Sequence, residues 1–307
     1  MTPVSSAADD DGREDGRFSA AAGPDGDDPL RRALFPDGLP LGEPLPDMLA
    51  ADAADESAPG SVEPAVDGYW QLSRTPLTSL IFTLPLVLAY EGGVLFLGRG
   101  SPRNGADVWL RHLLDTMGFG QYFLLPLLTA VGLLTWHHLA HDRWQVSLRV
   151  MPGMAAECVL WAMALVGIGR LQQSFWPFRP GLLQWELLLA GDDAGFIWPA
   201  ALARIIGYCG AGLYEEVLFR LLLLPIAVWA FERLGCSTLA AGFWAILLSS
   251  LLFSAAHYVG PLGDSFTLYS FTFRTVAGLF FAVLLLVRGF GIAAGTHFFY
   301  DVLVGLL

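Results

Sequence analysis

From residue 69 onward the chain reads as apolar runs long enough to cross a bilayer, separated by short polar breaks. A helix needs about 20 predominantly apolar residues to span the hydrocarbon core. Such runs are predicted at 77–97, 122–139, 154–171, 237–256, 270–287 and 289–306, the first broken by Pro85 and by Glu91-Gly92-Gly93. Residues 181–190 are apolar but short, and suit an interfacial or partly inserted segment. The stretch from Phe196 to Phe231 is too long for one straight span, so a lead-in helix or kink is expected before a helix over 205–230. Seven main spans result, or eight if 181–203 supplies another. The runs are continuous and do not alternate every second residue, which selects helices over a transmembrane barrel. The expected fold is all-α, a polytopic transmembrane helical bundle.

Residues 1–68 break this pattern. They are rich in Asp, Ala, Gly and Pro and show neither helical nor strand periodicity. Too little apolar surface is present to offset the entropy of ordering, so a disordered acidic tail is expected. A short amphipathic contact at Leu30–Leu41 is its one structural hint. The chain therefore divides into the tail at 1–68, N-terminal transmembrane helices at 69–195, and a C-terminal transmembrane core at 196–307.

Charge sharpens the division. The formal net charge of 307 residues is -12, and the tail alone carries 16 of the 29 acids against 4 of the 17 basic residues. The remainder is balanced, which removes any basic surface for nucleic acid. Every basic residue is arginine. With the high Ala and Gly content, this suggests a GC-rich bacterial genome and an integral protein of the bacterial inner membrane. Arginines flank the early spans almost evenly, so orientation is not set by a positive-inside count. Cys158, Cys209 and Cys236 sit in or beside apolar helices without a C-x-x-C pair, and read as packing residues.

Within the apolar C-terminal half, ionisable residues are few and fall on three separate spans. Charge inside hydrocarbon is costly and marks cavities, relays or catalytic sites. The first cluster is Glu215, Glu216 and Arg220. Consecutive glutamates project about 100° apart on an α-helix, while Glu216 and Arg220 at i,i+4 share a side. Glu216 can pair with Arg220, leaving Glu215 to face a cavity; Gly207, Gly210 and Gly212 thin the helix for a close neighbour. The second is His257, ending a helix slimmed by Ser249, Ser250 and Ser254. The third is His297 with Asp301, again at i,i+4 on one face.

Brought to one depth, these residues have the chemistry of hydrolysis. A carboxylate and an imidazole can hold and deprotonate water, and a second imidazole with Asp can stabilise an oxyanion. A metal is the competing account: Glu215, His257 and His297 would make a three-ligand zinc site with an open position. H-E-x-x-H is absent, and the sequence does not separate the two accounts. Other polar groups read differently. His137, His138, His141 and Asp142 lie among Trp136, Arg143 and Trp144, as in an interfacial belt. Glu91 and Glu157 on the early spans are assigned minor roles. The serines lack a G-x-S-x-G elbow, and no phosphate-loop or dinucleotide signature is present.

Three motifs carry a family resemblance. Glu215-Glu216-Val217-Leu218-Phe219-Arg220 resembles the E-E-x-x-x-R motif of the CPBP family, the CAAX protease and bacteriocin-processing (Abi) membrane proteins. Phe253-Ser254-Ala255-Ala256-His257 is similar to its F-x-x-x-H, and His297-Phe298-Phe299-Tyr300-Asp301 to its H-x-x-x-N/D. The order and the separate spans also match, over 196–307. The resemblance implies a glutamic-type or metallo-endopeptidase embedded in the membrane, acting on a membrane-anchored protein or peptide. It implies Glu215 as general base on water, assisted by His257; His297 and Asp301 at the oxyanion; and Glu216 and Arg220 in support. Where Asn is frequent at the last position, this chain has Asp301, which must be protonated or well paired to donate. The alternative is a non-enzymatic scaffold or bacteriocin-immunity-type protein that binds a partner through the polar cavity. A proton-coupled transporter is a weaker alternative, since no inverted repeat is evident.

Overall fold

The computed structural model describes residues 68–97, 103–120, 123–176, 198–260 and 263–306. The acidic stretch 1–67 and the interfacial candidate 181–190 lie outside the described residues. All regular structure among the described residues is helical: α1 Tyr69–Leu72, α2 Pro76–Leu97, α3 Gly105–Thr116, α4 Leu124–Leu139, α5 Met151–Phe175, α6 Trp198–Gly210, α7 Leu224–Arg233, α8 Thr238–Ala256, α9 Leu268–Arg288 and α10 Phe290–Leu306. Two π-helical segments, Ala211–Glu215 and Val217–Leu223, join α6 to α7 without a break in winding. Among the described residues four stretches are long and apolar enough to cross a membrane: Pro76–Leu97, Leu148–Phe175, Thr238–Ala256 and Leu268–Arg288. With the shorter apolar helix Leu124–Leu139, they make the chain an integral, polytopic helical membrane protein.

Two expectations change in detail. The interruption expected at Pro85 and Glu91-Gly92-Gly93 does not occur, since α2 runs through both. In an apolar setting a helix keeps its remaining backbone bonds, because an exposed peptide group has no water to turn to. The lead-in helix or kink expected before 205 falls elsewhere: α6 runs on from Trp198 to Gly210, and the winding changes inside the expected 205–230 helix, in two π-helical segments that widen the turn while keeping the backbone bonded.

The helix α10 is the hub of the bundle. Residues 291–297 are all buried, and α10 packs against α2, α5, α6, α9 and the first π segment. A helix buried on every side carries polar groups only where neighbours satisfy them. Close approach needs small residues: a Cβ on Gly212 would lie 2.8 Å from Phe298 N and 2.9 Å from Ala294 O of α10. The turn from α9 into α10 is made at Gly289, whose φ is +84° and whose Cβ position would meet Arg74 O at 2.8 Å. Both constraints exclude a side chain.

The entry to that turn is pinned by an ion pair between a fully buried arginine and a partly buried glutamate. Arg288, fully buried at the end of α9, donates to Glu157 of α5 through Nε at 2.5 Å and Nη2 at 2.7 Å. Tyr69 donates to the same carboxylate at 2.6 Å, and the Arg288 guanidinium lies 3.7 Å from the centre of the Trp70 ring. Glu157 therefore ties α1, α5 and α9 together, a larger part than the minor role expected of it. Removing Arg288 leaves the partly buried Glu157 without its cation, leaves Ser73 without its donor, and empties the space against Trp70. Arg288→Ala is expected to cost about 3 kcal/mol or more, and to lower the melting midpoint in detergent. The double variant Arg288→Met with Glu157→Met should recover much of the loss. An unchanged midpoint in Arg288→Ala would contradict this role.

Candidate active site

The two glutamates stand where the π-helical winding pauses between its two segments. Glu215 closes the first segment and Glu216 is the single residue between the two. A π turn leaves carbonyls displaced from the ordinary ladder, so they need other donors. Ser249 of α8 supplies one, its Oγ donating to Phe219 O at 2.8 Å. Ser250 and Ser254 likewise donate to backbone carbonyls, of Ile246 and Phe271, at 2.7 Å each. All three serines are structural donors.

Glu216 is completely buried and shared between two partners. Its Oε2 lies 3.1 Å from Arg220 Nε, and its Oε1 accepts from His297 Nδ1 at 2.7 Å. Arg220 is equally buried, donates from Nη2 to Gly278 O at 3.2 Å, and lies 4.3 Å from the centre of the Phe253 ring. The Phe281 ring stacks on His297 at 4.5 Å and 14°. A buried carboxylate accepts but cannot donate, so His297 Nδ1 carries a hydrogen and its Nε2 points away from Glu216.

Glu215 faces the other way. His257, at the end of α8, donates from Nδ1 to Phe253 O at 2.8 Å, which turns its Nε2 toward the glutamate. Glu215 Oε2 is 3.9 Å from His257 Nε2 and 3.7 Å from His297 Nε2. Asp301 Oδ2 lies 3.8 Å from the same His297 nitrogen. These separations exceed a direct hydrogen bond. Glu215 Oε2 is buried with no hydrogen-bond partner among the described residues. The structure thus brings Glu215, His257, His297 and Asp301 onto one face, with Glu216 and Arg220 behind them.

Two residues here have no counterpart in the sequence motifs. Asn104, the N-cap of α3, donates to Glu215 Oε1 at 2.8 Å. Tyr214 donates to buried Glu91 at 2.5 Å, and Arg111 pairs with Glu91 at 2.7 Å and with Asp107 at 2.5 Å. Burial works against the Arg111 cation, but Asp107 and Glu91 outweigh it and raise its proton affinity. Glu91 therefore anchors the segment beside the glutamates and is more than a minor polar group. An Asn ahead of an apolar-periodic stretch signals a helix start, but nothing in that signal points to a residue 111 positions away.

The other candidates fall elsewhere. His137 is buried, 3.7 Å from Asp142 and edge-on to Trp144 at 4.7 Å. Cys158, Cys209 and Cys236 are free thiols, the first two buried. The zinc alternative gathers its three residues, yet among the described residues no group of three or more His, Cys, Asp or Glu is arranged to hold a metal ion. Both imidazole Nε2 atoms face the same Glu215 oxygen, and His297 also faces Glu216 and Asp301.

Residues 197–303 match the family model described as Rce1-like, type II CAAX prenyl endopeptidase. The match covers all three motifs and agrees with the CPBP resemblance read from them. It supports a CAAX-type intramembrane protease function in general. No curated protein and no solved structure matches the chain.

The geometry separates the two glutamates by their expected effects on stability. Glu216→Gln leaves the buried Arg220 without its paired carboxylate and removes the charge on His297 Nδ1, and should cost about 3–5 kcal/mol. Glu215→Gln keeps an acceptor for Asn104 and should leave the melting midpoint in detergent nearly unchanged. Equal loss of folded protein in both variants would contradict this separation.

Proposed function

Starting from a C-terminal core of the type II CAAX prenyl endopeptidase kind, we propose that the chain is a membrane-embedded endopeptidase. It hydrolyses a peptide bond of a membrane-anchored protein or peptide with water activated by Glu215. The observation that carries this reading is the buried, unpartnered Glu215 Oε2 facing Nε2 of two histidines at 3.9 and 3.7 Å. Such spacing is too wide for direct bonds and suits one bridging water.

In this reading water lies between Glu215 Oε2 and His257 Nε2. With its Nδ1–H committed to Phe253 O, neutral His257 offers a lone pair at Nε2 that orients the water. Glu215 takes one proton as the water oxygen attacks the scissile carbonyl carbon. The developing oxyanion is met by His297 as imidazolium, which presents Nε2–H while Glu216 on Nδ1 balances its charge. Asp301, protonated, adds a second donor. Collapse of the tetrahedral intermediate breaks the C–N bond, and Glu215 returns its proton to the leaving amine. The apolar surroundings strengthen each of these charge interactions relative to water. The all-arginine composition favours a bacterial plasma membrane as the setting.

Cleavage is best followed in proteoliposomes with prenylated C-terminal CAAX peptides, the cut end mapped by mass spectrometry. Glu215→Gln, His257→Ala and His297→Ala are each expected to lower the rate by about 10²-fold or more, with the folded protein retained for Glu215→Gln. Chelation by 1,10-phenanthroline should leave the wild-type rate unchanged. Wild-type cleavage by folded Glu215→Gln overturns the base assignment, and loss of activity restored by zinc overturns carboxylate-only activation.

A further inference from the structure

Asn104 uses both ends of its side-chain amide. Oδ1 accepts from Ala106 N at 2.8 Å, the bond that caps α3, and Nδ2 donates to Glu215 Oε1 at 2.8 Å. Only the oxygen can accept from a backbone N–H, so the cap fixes which end of the amide meets the glutamate. Capping needs the oxygen alone, and Ser, Thr or Asp would serve as well. The donor half is surplus to capping and is aimed at a carboxylate on a different helix.

Asn104 is itself held in place by buried groups. Its backbone N–H donates to Tyr90 Oη at 3.2 Å, and Tyr90 donates to Asp107 at 2.9 Å. Asp107 pairs with Arg111, Arg111 with Glu91, and Glu91 accepts from Tyr214, the residue before Glu215. Hydrogen bonds and ion pairs thus run from Glu215 through α3 and α2 and return to the π segment. Tyr90, Asp107 and Tyr214 are completely buried, so water does not compete for these bonds.

We propose that Asn104 is a positioning residue for Glu215: its amide holds Oε1 and thereby turns Oε2 toward His257 and His297. The inference rests on the reading of Glu215 as the base. A carboxylate free to rotate would present its reactive oxygen only part of the time, and a base held by a neighbour is preorganised. The N-terminal helices then contribute to a site whose sequence motifs all lie in the C-terminal core.

Asn104→Ser and Asn104→Thr test this, because each keeps an oxygen for the cap and removes the amide donor to Glu215 without adding charge beside it. The full-length protein is assayed in proteoliposomes with a farnesylated CAAX peptide, with kcat taken per folded molecule. Labelling of Glu215 by dicyclohexylcarbodiimide, read by peptide mass spectrometry, is measured in parallel and needs no turnover. Both variants should keep the wild-type melting midpoint and lose about ten- to hundredfold in kcat, the range set by one hydrogen bond to a charged group. KM should change little, and Glu215, with Oε1 released, should label faster. If both variants keep wild-type kcat and labelling while Glu215→Gln is inactive, Asn104 is only a helix cap and the inference fails. If Glu215→Gln cleaves like wild type, the proposed base fails instead, and the labelling rate still decides whether Asn104 holds Glu215.

Discussion

The Glu216 carboxylate is the interaction on which the rest of the site depends. It is completely buried, 3.1 Å from Arg220 on its own helical run and 2.7 Å from His297 on α10. Three ionisable groups in an apolar interior are tolerable only together, because each alone would leave an unbalanced charge where water cannot reach. Their mutual need locks the π-helical run onto the central helix. It also fixes the hydrogen on His297 Nδ1, which turns Nε2 into the site. Phe253 joins the same assembly, with Arg220 4.3 Å from its ring centre and the rings of His257 and His297 at 5.0 and 6.0 Å. The ionic core behind the site and the imidazoles in front of it therefore share one aromatic wall.

The π-helical winding gives the two adjacent glutamates separate surroundings. Glu216 turns inward to Arg220 and His297, while Glu215 turns to Asn104, His257 and His297. Widening the helix displaces carbonyls, and Ser249 of α8 takes up the one on Phe219. The serine thus supports the backbone that carries the glutamates. Gly212 lets this run approach α10 closely enough for His297 to reach both carboxylates. Backbone winding, small residues and buried charge act on the same few ångströms of structure.

Much of this was legible in the sequence, because membrane burial makes polar residues conspicuous. Long apolar runs gave the helical class, and the rarity of ionisable residues after 204 singled out Glu215, Glu216, His257, His297 and Asp301. Three features lacked such a signal. The π segments differ from an α-helix only in which carbonyl each N–H finds, and the residue pattern of Ala211–Leu223, polar cluster included, fits an α-helix equally well. Arg288 and Arg111 lie at a helix end and in a polar connection, where arginine is ordinary, so their partners Glu157 and Glu91 looked minor. Asn104 carries the signature of a helix cap, and its second bond depends on tertiary docking of α3 that no local pattern encodes. The last two omissions come from interactions made across the chain by residues unremarkable in their own segments.

The central claim is that the peptide bond of a membrane-anchored substrate comes to rest between Glu215 and His297. Photocrosslinking tests it most directly: a prenylated CAAX peptide with a diazirine residue beside the scissile bond, bound to the inactive Glu215→Gln protein in proteoliposomes. The account expects adducts on the segment around residue 215, on His257 or its neighbours, and on α10 near His297 and Asp301. Adducts confined to α4 or the outer faces of α5, with none on those three segments, would contradict it.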